Sequence, residues 1–170
     1  MAAVTESRQL EILSQIYQIR LLDALREKLG AAYAPQVANN WPLDLENGGD
    51  FLAVSQLAPS AIPEFFATAD KIAADLIARP PGADELARVT EPLKQQLSRA
   101  SSSSAFFMYQ LEGATTDPSK FTALRTLLTD LTQTTPAAMQ TLAAKYLAPE
   151  KSWRLVVMPE AGKGVVGSTK

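Results

Sequence analysis

Arg26 and Tyr33 are the two side chains whose types and spacing could do chemistry together. The run Arg26-Glu27-Lys28-Leu29-Gly30-Ala31-Ala32-Tyr33 reads as the last turn of a helix, a glycine stop and the start of a strand. A chain that doubles back at the glycine is expected to let a guanidinium from the helix end and a phenol from the strand converge at one sheet end. Guanidinium N–H donors beside a phenol O–H suit a peptide carbonyl, a carboxylate or a tetrahedral oxyanion. The same spacing also serves structure alone. A cation in the last turn of a helix complements the dipole, and a tyrosine packs well in a strand. Taken by itself, the spacing favours this second account.

The rest of the composition decides what such a pair could join. The chain has 170 residues, with no histidine and no cysteine. A tetrahedral zinc site of the usual kind therefore has no ligands here, and a hydrolytic triad lacks its imidazole. The absence of cysteine also removes a disulfide framework and leaves the redox compartment unread. The acidic residues are scattered, and Asp84-Glu85 reads as negative charge in the first turn of a helix. Ser101 to Ser104 reads as a hinge or loop before a short helix. Neither a G-x-S-x-G elbow nor a phosphate-cradling glycine–lysine loop occurs, and Gly162-Lys163-Gly164 is too short to supply one. Sixteen basic against 18 acidic residues, a formal charge of −2, give no electrostatic footprint for nucleic acid. The start, Met1 to Arg8, lacks a basic region followed by an apolar one, so no export signal is expected in the chain, and no apolar run reaches the length of a membrane span.

The elements that must position Arg26 and Tyr33 follow from periodicity. From Glu6 to Leu29 the residues Leu10, Leu13, Ile16, Tyr17, Leu21, Ala24 and Leu25 recur at helical steps, and Ile12, Ile19 and Leu22 widen the stripe. A helix apolar over so much of its circumference is expected to be buried on more than one side. Ala31 to Ala38 and Asp50 to Leu57 read as an antiparallel hairpin, with turn chemistry in Asn39-Asn40-Trp41-Pro42 and Asn47-Gly48-Gly49-Asp50. Pro35 places the first strand at an edge or a bulge.

Pro63 fits the first turn of a helix that carries Phe65, Phe66, Ala69, Ile72, Ala73, Leu76 and Ile77 and ends at Arg79-Pro80-Pro81. Asp84 begins another, with a kink expected at Pro92. A short helix over Ala105 to Leu111 follows, and then two helices opened by Asp117-Pro118 and Thr135-Pro136. Trp153 to Met158 reads as a last strand, and residues 160–170 as a disordered tail. The order implies an α+β fold with helices packed on a small antiparallel β-sheet. A sheet so thin is expected either to be completed by residues outside this chain or to have its edges covered by a partner.

The segment Leu25-Arg26-Glu27-Lys28-Leu29-Gly30-Ala31-Ala32-Tyr33 closely resembles a segment in the C-terminal domains of the insulinase/pitrilysin family of inverted-zincin metallopeptidases, where L-R-E-K is followed by a hydrophobic residue and G-x-x-Y. The order of elements over residues 11–159 is similar to that family's as well. The resemblance implies that residues 6–159 form a peptidase C-terminal-like domain, an incomplete clamshell half. Two similar halves of such enzymes close around an unfolded peptide, and the N-terminal half carries the His-x-x-Glu-His zinc motif. By motif position, Arg26 and Tyr33 would then bind the peptide backbone or stabilise the oxyanion, with no catalytic or metal-binding residue in this chain.

Zinc would belong to the parent's N-terminal half, and the partners would be that half and an unfolded peptide substrate. Family domains carry further strands before the first helix. The resemblance therefore implies a fragment truncated on its N-terminal side, with self-association through the sheet surface that the truncation exposes; the compartment stays unread, a bacterial periplasmic parent being one option. An inactive scaffold or assembly subunit of the same fold is the alternative function, and an unrelated helical interaction module is a third. A pure scaffold has no chemical need for both Arg26 and Tyr33.

Overall fold

The computed structural model describes residues 2–29, 34–41 and 49–158. The expected stop at Gly30, the strand start at Ala31, Tyr33 itself, Pro42, Asn47-Gly48 and the tail over 160–170 lie outside the described residues. Most of what is described is helical, arranged around one long helix, α1 (Ala2–Leu29), with a two-stranded antiparallel sheet beside it. The helix begins earlier than the Glu6 expected from its apolar stripe. At 1.5 Å per residue it is about 42 Å long.

Two apolar rows explain its central place. Leu10, Leu13, Tyr17 and Leu21 form one, Ile12 and Ile16 a second, and all are buried, as is Leu25. The first strand packs against this helix, and so do α2 (Ile62–Ala78), α3 (Ala83–Ala100), α5 (Ser119–Thr132) and α6 (Pro136–Tyr146). The expected burial on more than one side is what the fold provides. Phe65, Ile72 and Leu76 from α2, Leu86 and Val89 from α3, and Met139, Leu142 and Ala143 from α6 complete the core. Each fully buried large aliphatic side chain contributes about 1.5–3 kcal/mol.

Strands β1 (Gln36–Asn40) and β2 (Asp50–Val54) pair from Gln36↔Val54 to Asn40↔Asp50. Val37, Asn39, Phe51 and Ala53 lie half-buried on the face toward α1 while their neighbours are exposed, the period-two signature of a strand covered on one side. Among the described residues the first strand begins at Gln36 and takes in Asn39 and Asn40, which their residue type assigned to a turn. Tertiary bonds outweigh that preference. Asn39 Nδ2 donates to the Ser7 carbonyl at 3.1 Å, and Gln18 Oε1 accepts from the Val37 N–H at 3.1 Å. Pairing ends at Val54 rather than Leu57 because the partner strand runs out at Pro35, which has no N–H to give.

The helix starts follow the sequence closely. Pro63 sits in the first turn of α2, and Thr135 Oγ1 accepts from the Ala138 N–H to cap α6, whose first residue is Pro136. Asp117 Oδ1 accepts from the Ser119 N–H at 3.0 Å at the entry to α5. Ser101, Ser102 and Ser103 donate to carbonyls three residues back, and Ser103 then caps the short α4 (Ser104–Gln110), so the serine tract is a turn between helices. Helix α3 continues through Pro92. Pro92 and Arg88, whose carbonyl loses its helical donor to the proline, are both exposed, and water can serve that carbonyl.

One expectation is corrected. Trp153 to Met158 forms no strand among the described residues; it follows a 3₁₀ turn (Pro149–Lys151) as an unpaired segment. Its β-branched residues favour extension, but a strand exists only when another offers it a ladder, and the described sheet stops at two strands.

Candidate functional site

Helix α1 presents Arg26 in its last turn, together with Lys28. Leu25 beside it is fully buried and Arg26 is exposed, so the apolar anchor fixes the helix end while the guanidinium faces solvent. A second anchor acts one turn along. Lys28 Nζ meets Glu64 Oε1 of α2 at 2.5 Å, and Thr68 Oγ1 donates to the same carboxylate oxygen at 3.2 Å. The hydrogen bond and charge of Lys28 hold the Glu64 carboxyl below its ordinary value. Among the described residues Arg26 makes no ion pair, which leaves its donors for a ligand. Tyr33 lies outside the described residues, so the geometry on hand concerns the arginine half of the pair.

About 9 Å back along the helix axis, Arg20 makes a two-pronged bond to Glu85 in the first turn of α3, Nε to Oε1 at 2.7 Å and Nη2 to Oε2 at 2.8 Å. Glu85 also accepts from the Gly82 N–H at 3.3 Å. The Arg20 hydrogen bond holds the Glu85 carboxyl below its ordinary value against a smaller opposing effect of burial, and the same bond raises Arg20. Asp84-Glu85 thus lies in a first helical turn as expected, with the added task of tying α3 to α1. Arg20, Asp75, Arg79 and Pro80 line a shallow cleft here. Asp75 is itself engaged by two cations, Lys71 at 2.7 Å and Arg79 at 3.8 Å.

Near the other end of α1, Arg8 donates to Asp130 Oδ2 at 2.6 Å, to the Ala123 carbonyl at 2.9 Å and to Thr126 Oγ1 at 3.2 Å. Thr5 adds a bond to the other Asp130 oxygen at 3.1 Å. These contacts clamp α5 to α1. Glu6 joins Lys145 and Tyr146 of α6, with Oε1 at 2.5 Å from Nζ and 3.0 Å from the phenol oxygen. Tyr17 is a buried tyrosine whose hydroxyl donates to the Ala69 carbonyl at 2.6 Å. Burial raises its pKa far above the ordinary value, with Asp70 adding to the effect, so it remains a neutral donor.

Periodicity did not announce these interhelical ion pairs. The one signal was charge set into a helix apolar around most of its circumference, as Arg8 and Arg20 are. Their carboxylates sit on elements far away in the chain, beyond what local spacing can reach.

Three or more carboxylates do not cluster as metal ligands would among the described residues, and no described helix is long and apolar enough to cross a membrane. The chain's donor set, without imidazole or thiolate, does not fit a tetrahedral zinc ion. What the described geometry offers is an exposed guanidinium at a firmly anchored helix end, suited to receive carbonyl or carboxylate oxygens. No protein-family model matches the chain, and none of the curated proteins or solved structures compared with it matches either.

Proposed function

We propose that this chain is a non-catalytic, peptide-binding domain of the insulinase/pitrilysin type, half of a clamshell whose zinc-bearing half lies on another domain or chain. The observation that carries the reading is the Leu25–Tyr33 motif at the end of α1, with Leu25 buried, Lys28 tied to α2 and Arg26 left exposed. A binding arginine needs an anchored base and free donors, and among the described residues Arg26 is exposed, makes no ion pair and sits beside the Leu25 and Lys28 anchors. Its guanidinium would donate to a peptide carbonyl and Tyr33 would add a phenol donor, so that both favour negative charge developing on the carbonyl oxygen. In this reading the zinc lies on the other half, and the contribution of this chain's residues is to bind and orient.

The coding sequence next to this domain is expected to specify His-x-x-Glu-His. In the enzyme assembled from both halves, Arg26→Ala and Tyr33→Phe should each lower kcat/KM for an unfolded peptide by about 10²-fold or more. Unchanged turnover in the double variant would overturn the binding role and leave an inactive scaffold of the same fold.

A further inference from the structure

Residues Trp153 to Met158 carry six successive side chains of which only Arg154 is charged. Exposure alternates along them: Trp153, Leu155 and Val157 are 71, 68 and 83 % exposed, and Val156 and Met158 are 47 and 52 %. Period two is the mark of extended chain, with the odd-numbered residues forming an outward row. Arg154, in the other row, is held by Asp70 of α2 and lies over the Phe66 ring, 5.1 Å from its centroid. The segment is therefore anchored at Arg154. Among the described residues its backbone N–H groups have no hydrogen-bond partner.

We propose that a second copy of this chain covers the segment, the two Trp153–Met158 stretches pairing as antiparallel strands about a two-fold axis at Leu155. The proposal does not depend on the peptidase reading. Directly opposed residues of an antiparallel pair share a face, and all three outward residues oppose one another in the register that sets Leu155 against Leu155 and Trp153 against Val157. In that register Arg154 opposes Val156, not its own copy, and its charge is already matched by Asp70. Like charges therefore never meet across the axis. The uncharged outward row lacks the lysines that keep natural edges apart. Its exposed surface, on the order of several hundred Å², is in the range that marks interaction sites.

Sedimentation velocity of the full chain across a micromolar to submillimolar range tests the pairing. A concentration-dependent dimer is expected, weakened about tenfold or more by Leu155→Glu, which sets two like charges face to face on the axis. The register has its own test because the chain has no cysteine. Under mild oxidation Leu155→Cys should yield a covalent dimer, while Trp153→Cys, opposed to Val157, should not. Far-UV circular dichroism checks that each variant is folded. A monomer at every concentration, a dimer indifferent to Leu155→Glu, or cross-linking of both cysteine variants alike would overturn the proposal.

Discussion

Helix α1 and the segment Trp153–Met158 are both rich in large apolar residues, yet one is the most buried element of the molecule and the other among the most exposed. The difference lies in what the rest of the chain supplies. Four helices and a strand converge on α1, and ion pairs from Arg8, Arg20, Lys28 and Glu6 fasten α5, α3, α2 and α6 to it. The terminal segment receives one clamp, Arg154 on Asp70, and no described ladder. Apolar composition calls for burial; whether burial happens within the chain depends on elements far away in sequence.

Substitutions can sharpen this contrast. Leu21→Ala, at a fully buried position of α1, should lower unfolding free energy by about 2–5 kcal/mol in a urea titration. A loss under 1 kcal/mol would mean that α1 is not the centre of the core. Glu85→Gln removes one clamp at a partly exposed site and should cost about 1 kcal/mol at neutral pH. Its pH dependence has a definite sign. The Glu85 carboxyl is held below its ordinary 4.5 in the folded chain, so the stabilisation is full above that value and is lost as pH falls through the lower folded value. Thermal melts of wild type and variant should differ at neutral pH and converge well below pH 4.5. A constant difference across that range would remove the ion pair from the account. Val157→Ala, on the exposed segment, should change monomer stability by no more than about 0.5 kcal/mol.

Much of this contrast could be read from the sequence on one side only. The stripe from Leu10 to Leu25 announced α1 and its burial, and Pro63 and Thr135-Pro136 marked helix starts, because local spacing and capping chemistry decide these features. Asn39 and Asn40 misled: their turn preference is local, while the bond from Asn39 to Ser7 that keeps the chain extended is not. Trp153–Met158 misled for the same reason, since residue type sets extension and a partner sets pairing. Arg26 was legible as a helix-end cation. That it is left without an ion pair among the described residues could be seen only once Lys28 was found to take Glu64.

The central claim is that the Arg26 end of α1 receives peptide backbone. Fluorescence anisotropy of a labelled unfolded casein peptide, titrated with the full chain and with its Arg26→Ala variant, tests this most directly. Saturable binding that the variant weakens about tenfold is expected, the order of a hydrogen bond from a charged donor. Equal binding by both proteins, or none by the wild type, would contradict it.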